Sequence, residues 1–217
     1  MPDRRTRFLF AALGLCLAGC TTRPLQPQPP LYTTWTKPGV SGPGVRGALL
    51  DCGFPDAAHV TAATMSTNDY ARGQLCMLDR GFTYTDRSIV CAHSPDLPAC
   101  ASVPRGKTFG TDPDFDPALL DKRPASPPGY ARWSRPGTDA DGVKRAMTAC
   151  GYTDVVRPGD MMKLNEQAGA QLCMIDHGFR YAYPANSLLC RNSPALPACR
   201  ERKIDAQTCC TAVRGKP

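Results

Sequence analysis

The residues best equipped for chemistry in this chain are its cysteines, 12 of them, with only three histidines to act beside them, His59, His93 and His177. A thiol serves as a nucleophile, a metal ligand or half of a disulfide, and spacing discriminates among these roles. Zinc sites bring cysteines or histidines together at short spacing. Here eight cysteines fall into two sets of four, Cys52, Cys76, Cys91 and Cys100, then Cys150, Cys173, Cys190 and Cys199. The residues between successive members number 23, 14 and 8 in the first set and 22, 16 and 8 in the second. No two of these cysteines share a helical turn, so no metal site is expected. A thioredoxin-like centre needs C-x-x-C opening a helix, and none is present. There is no nucleophile elbow, zinc helix motif or phosphate-binding loop. The reading is of a non-enzyme without a cofactor, whose cysteines serve structure.

The amino terminus says where such thiols would be oxidised. Arg4, Arg5 and Arg7 precede an apolar stretch, Phe8 to Leu17, too short for a permanent membrane span but of signal-peptide length. Leu17-Ala18-Gly19-Cys20 follows. This run resembles the lipobox of bacterial lipoproteins. The resemblance implies cleavage after residue 19, lipidation of Cys20 and a triacyl anchor in the envelope membrane, since two or more acyl chains hold stably. Thr21, where an Asp would imply inner-membrane retention in a Gram-negative host, implies the outer membrane. Cys16 leaves with the signal and Cys20 becomes a thioether. Ten cysteines then remain in an exported protein, an even number that reads as a disulfide framework.

Charge narrows the partners. Without residues 1–19, the basic residues fall from 26 to 23 and the acidic ones from 19 to 18, a net charge of +5. No Lys/Arg run with interleaved aromatics appears, so nucleic acid is not an expected partner. No second apolar stretch is long enough to span a membrane.

The elements that must position the cysteines occur twice. Trp35-Thr36-Lys37-Pro38-Gly39 answers Trp133-Ser134-Arg135-Pro136-Gly137, and Gln74-Leu75-Cys76-Met77 answers Gln171-Leu172-Cys173-Met174. Gly81-Phe82 answers Gly178-Phe179, Tyr84 answers Tyr181, and Leu97-Pro98-Ala99-Cys100 answers Leu196-Pro197-Ala198-Cys199. The offset drifts only between 97 and 99, which reads as a tandem duplication. None of the histidines is shared: their counterparts lie near Arg157, then at Asn192 and Arg80. The Cys-Gly-aromatic and Cys-Met…Gly-Phe patterns also look like those of uncharacterised bacterial lipoproteins, a resemblance that implies no activity.

In each copy, Val45, Ala48, Leu49 and Cys52, or Val143, Ala146, Met147 and Cys150, form one apolar helix stripe, stopped by Gly53 or Gly151. A second helix is predicted over 66–80, with Ala71, Leu75 and Leu78 inward, and over about 163–177, with Ala168, Leu172 and Ile175 inward. Gly81 and Gly178 end these helices, a short extended piece follows, and a proline-bearing loop between the last two cysteines closes the copy. The fold class is mainly α, small and disulfide-rich, a tandem duplication of a two-helix module with a short extended segment and a Cys-closed loop. Domains this small need staples. Four cysteines allow three pairings and sequence does not choose; the favoured one joins Cys52 to Cys76 and Cys91 to Cys100, with the same in the second copy. Around the repeats at 35–100 and 133–199 lie a signal peptide (1–19), a Pro-rich tether (20–34), a Pro/Asp-rich linker (101–132) and a basic tail (200–217). In the tail, adjacent Cys209 and Cys210 pair with each other or between chains, both open.

The repeated polar and aromatic residues are the candidates for binding. Trp35 and Trp133 either pack over their own cores or present an aromatic contact. Asp79 and Asp176 sit in a last helical turn, where the macrodipole disfavours a negative charge, so each is expected to hold the following loop or to face a partner. Gln74 and Gln171 are expected to bond locally, and Asn68 and Asn165 to cap helices. The function expected is a non-catalytic, lipid-anchored scaffold or interaction protein, bound to the membrane by its anchor and facing the periplasm. It would present two modules to an envelope protein or polymer, with bivalency raising affinity. The alternatives are a periplasmic immunity or inhibitor lipoprotein and, from another class, an envelope hydrolase with carboxylates clustered around Asp79 or Asp176.

Overall fold

The computed structural model describes residues 28–86, 88–104, 126–182, 187–202 and 204. The lipobox with Cys20, the middle of the linker, and Cys209 and Cys210 lie outside the described residues. The described residues are mainly helical, with a few two-residue strands and four disulfides among them.

The first module opens with a 3-10 turn, Leu31–Thr34, and continues through β1 (Trp35–Thr36), α1 (Gly42–Asp51), α2 (Thr67–Asp79), β2 (Thr83–Tyr84), α3 (Val90–His93) and a 3-10 turn, Pro98–Cys100. The second has a 3-10 turn, Gly129–Arg132, then β3 (Trp133–Ser134), α4 (Ala140–Ala149), an additional short helix α5 (Pro158–Met161), α6 (Leu164–Asp176), β4 (Arg180–Tyr181), α7 (Leu189–Asn192) and a turn, Pro197–Cys199. Each module thus begins ahead of its tryptophan, inside segments that read as tether and linker. The backbone of Leu31 and Tyr32 donates to the carbonyls of Ala58 and Ala57, and that of Gly129 and Tyr130 to Val156 and Val155. The tail contributes as well, with Ile204 packed on the second core.

All four long helices stop in the same way. At the end of α1 the Gly53 N–H bonds the Leu50 carbonyl and the Phe54 N–H bonds the Leu49 carbonyl. This Schellman arrangement needs a left-handed residue, and Gly53 has φ 88°. Gly81, Gly151 and Gly178 repeat it, each followed by a buried aromatic, Phe82, Tyr152 or Phe179. The carbonyls these aromatics cap belong to Met77, Met147 and Met174, which are fully buried. One local motif therefore ends the helix and drops a ring into the core. That differs from the expected inward face: Leu75, Leu78 and Ile175 are half-buried, while Met77 and Met174 are at the centre.

The pairings are Cys52–Cys76, Cys91–Cys100, Cys150–Cys173 and Cys190–Cys199. The first and third clamp the two helices of a module; the second and fourth close its terminal loop and are buried. The cores are separate, one built on Trp35, Leu49, Phe54, Met77, Ile89 and Leu97, the other on Trp133, Met147, Tyr152, Met174, Phe179 and Leu188. The modules nevertheless touch. Helix α5 packs against α2, the Leu164 N–H at the start of α6 donates to the Ala62 carbonyl at 2.9 Å, and the Arg157 guanidinium reaches the Asp96 carbonyl. Among the described residues no helix is long and apolar enough to cross a membrane.

Candidate functional site

Most of the repeated polar residues hold the modules together. Gln74 and Gln171 are buried and accept, through Oε1, the backbone N–H of Val90 at 2.8 Å and of Leu189 at 2.9 Å. These bonds span 16 and 18 residues rather than a local turn. Asn68 and Asn165 do not cap their helices; their Oδ1 atoms take the N–H of Ala99 and of Ala198, both at 2.9 Å, pinning the terminal loop. The caps are Ser66, whose hydroxyl accepts the Asp69 N–H, and Glu166, whose carboxylate accepts the Lys163 N–H.

The aspartates part company. Asp176 is paired with Arg202 through two bonds of 2.5 and 2.8 Å, and that guanidinium holds its carboxyl below the usual range. Such a carboxylate stays ionised and is a poor general acid. The Asp79 side chain is exposed, and among the described residues its carboxylate has no hydrogen-bond or ion-pair partner. Neither holds the following loop. The helix ends are held instead by cations that sequence reasoning missed: Lys37 Nζ donates to the Arg80 carbonyl at 2.6 Å, and Arg135 donates to the His177 carbonyl at 3.0 Å. A positive charge at a helix C-terminus complements the macrodipole, and the same cations lie over the rings of Phe82 and Phe179. The signal was available, since Lys37 and Arg135 occupy the same place in the two Trp-Pro-Gly motifs.

The tryptophans are core rather than contact residues, because the strands fold them inward. Trp35 stands opposite Tyr84 and Trp133 opposite Tyr181, with ring centroids 4.7 and 4.9 Å apart. Their exposures are 2% and 5%, which leaves no aromatic surface for a partner. The two sites differ in one respect. Trp133 shares a hydrogen bond with the Tyr152 hydroxyl, whereas Phe54 stands at that position in the first module and the Trp35 Nε1 has no partner among the described residues.

A cleft of about 660 Å³ opens on the first module, and a smaller one of about 270 Å³ lies between Cys52, Met65, Arg72 and Lys163. One wall of the larger comes from the entry turn, with Leu31, Thr33 and Thr34, another from the loop His59 to Thr61, and the floor from Tyr70, Tyr84, Thr85 and Asp86. The Tyr84 hydroxyl hydrogen-bonds both Tyr70 and Asp86, and burial pushes both phenols up. They stay neutral at physiological pH, so the floor presents the Tyr70 hydroxyl as a donor beside the Asp86 carboxylate that Tyr84 bonds. In the second module the entry turn lies tight against the facing loop. A Cβ on Gly129, where the first module has Leu31, would meet Pro158 Cδ at 2.7 Å and the Val155 carbonyl at 2.8 Å. The cleft was not legible in the sequence because its walls come from a stretch that reads as tether and from an unpatterned loop.

The histidines are exposed. His93, the last residue of the short helix α3, hydrogen-bonds the Ser88 hydroxyl through Nε2, but neither residue lines the cleft. Among the described residues one group, Cys150, Cys173 and His177, brings three metal-ligating atoms within 4.8 Å of one another, and the disulfide engages both of its sulfurs. Set against protein-family models, curated proteins and solved structures, the chain finds no match in any of the three.

Proposed function

We propose that this is a non-catalytic, lipid-anchored envelope protein of the periplasmic face, which binds an extended polar segment of an envelope protein or polymer in the cleft of its first module. The observation that carries the reading is where the polar residues are used. The glutamine, asparagine and cationic side chains common to both modules are spent on internal bonds, while the large open cleft occurs where the modules differ. Its lining suits a hydroxylated or amide-rich ligand: threonines on both walls, two neutral phenols and the Asp86 carboxylate. The second module is in contact with the first through α5, so it braces the binding module rather than swinging free on a linker. This narrows the bivalent arrangement expected from the repeats. The sequence of the amino terminus supports the address, through Leu17-Ala18-Gly19-Cys20 behind a basic and apolar leader.

Fractionation of cells carrying Cys20→Ala tests the anchor. The variant is expected to leave the membrane fraction or to stay uncleaved, and a variant that is processed and membrane-bound like the parent contradicts it. Titration of the purified protein with envelope polysaccharide and peptide fragments, read by intrinsic fluorescence, tests the cleft, with Tyr70→Ala and Thr85→Arg as the variants expected to lose the response.

A further inference from the structure

The two helix-clamping disulfides are alike in sequence position but differ in surroundings. In the first module the residue next to Cys52–Cys76 is Arg80, and its guanidinium pairs with Asp51 at 3.0 Å. In the second module the place of Arg80 is taken by His177 and that of Asp51 by Ala149. The imidazole, freed from any such pairing, turns onto the disulfide: its Nδ1 stands 3.7 Å from Cys173 Sγ and 3.9 Å from Cys150 Sγ. A 2.9 Å contact between Nδ1 and the Cys173 carbonyl, one helical turn back, fixes the ring there. Cys150 and Cys173 are half-exposed and His177 is exposed, so a reductant and an ion can both reach the group. The terminal-loop disulfide of the same module is buried.

We propose that reduction of the Cys150–Cys173 disulfide opens a three-ligand site for a thiophilic cation, Zn²⁺, formed by the two thiolates and His177. The spacing is that of a zinc site. With zinc–sulfur bonds of about 2.3 Å and zinc–nitrogen bonds of about 2.05 Å, tetrahedral ligands stand about 3.6 Å apart for N and S and about 3.8 Å apart for two sulfurs. The nitrogen, at 3.7 and 3.9 Å from the two sulfurs, is within a few tenths of an ångström of that separation. Only the sulfurs must part, and reduction releases them to do so by side-chain rotation. A protein or small-molecule dithiol supplies two electrons and two protons; it is oxidised to a disulfide while the Cys150–Cys173 bond becomes two thiols. Zn²⁺ then displaces both thiol protons to solvent and binds Nδ1 of the neutral imidazole, whose single proton moves through solvent from Nδ1 to Nε2, with water completing the coordination. Metal binding requires deprotonated ligands, and three protein ligands plus one open position is a common zinc arrangement. The first module offers two sulfurs but, with Arg80 beside them, no third ligand.

The test uses the full mature chain, reduced with a phosphine and alkylated with iodoacetamide with and without Zn²⁺, each cysteine being followed by peptide mass spectrometry. Zn²⁺ is expected to slow alkylation of Cys150 and Cys173 by at least about ten-fold, as for ligands held in a metal site, and to leave Cys52 and Cys76 unprotected. His177→Ala and His177→Arg should both abolish that protection, the second variant keeping the residue that the first module folds with. Equal protection of both cysteine pairs, protection that survives both variants, or no protection at Cys150 and Cys173 overturns the proposal, as does Zn²⁺ bound by the unreduced protein.

Discussion

Replacing Tyr152 by Phe removes one hydroxyl from the centre of the second module and turns its core into the arrangement the first module has at Phe54. Tyr152 and Trp133 are each 5% exposed, and the hydroxyl is hydrogen-bonded to the indole. Without it the Trp133 Nε1–H stays buried with no acceptor. A buried donor left unsatisfied costs about 1–3 kcal/mol, offset in part because the hydroxyl itself no longer has to be desolvated. The expected net loss is about 1–2 kcal/mol. One kcal/mol shifts the midpoint of a domain of this size by about 4–8 °C. The reciprocal change, Phe54→Tyr, offers an acceptor to the orphaned Trp35 Nε1. Its gain is smaller, about 1 kcal/mol or less, because the Phe54 ring is tight against Gly73, where even a Cβ would lie 2.6 Å from the ring. The second module carries Ala170 at the position of Gly73, so its ring is seated farther from that helix. Thermal unfolding of both variants, followed by near-ultraviolet circular dichroism, separates these effects. A Tyr152→Phe protein as stable as the parent, or more stable, refutes the reasoning.

Three further outcomes follow from the same bonds. Gln171→Leu leaves the Leu189 N–H without its acceptor and is expected to cost about 1–3 kcal/mol in urea unfolding; a change below about 0.5 kcal/mol, the range of neutral surface substitutions, argues against it. Removing either pair in the first module, Cys52 with Cys76 or Cys91 with Cys100, should cost about 3 kcal/mol for closed loops of this size, and an unchanged denaturation midpoint contradicts that. The pH dependence has a definite sign on the alkaline side. Burial raises the phenols of Tyr84 and Tyr152, so above pH of about 10 the unfolded chain ionises first. Stability should be fully present below that pH and fall as pH rises beyond it, with the Tyr152→Phe protein falling less steeply; a flat profile from pH 9 to 12 is the contrary result.

How much of this was legible in the sequence depends on how local the cause is. The Gly-aromatic pairs that follow α1, α2, α4 and α6 are local: they name both the left-handed residue that ends the helix and the ring that enters the core, whereas the cysteine partners were one favoured choice among three pairings. Gln74 and Asn68 were misread because their chemistry is nonlocal. An amide on a helix reads as surface or cap, yet each of these reaches a backbone N–H in the terminal loop, which no periodicity reveals. Strand β1 is two residues long, too short to show an alternation, so the sequence left Trp35 open between core packing and an aromatic contact, and its pairing with Tyr84 makes it core. The inward face of α2 was assigned to Leu75 and Leu78 on hydrophobicity alone. The contact that ends the helix brings Met77 to the centre instead. The cleft depends on Leu31 and Tyr32 bonding to Ala58 and Ala57, a closure between two segments that carry no pattern of their own.

The central claim is that the first module's cleft is a binding surface in the envelope, and site-specific photo-crosslinking in intact cells tests it most directly. A photoreactive side chain at Thr85, exposed on the cleft floor, is compared with one at Thr148, exposed on α4 of the second module. A discrete adduct with an envelope component is expected from Thr85, lost on Tyr70→Ala, and none from Thr148. The same adducts from both positions, or none from Thr85 in a folded, membrane-located protein, would contradict it.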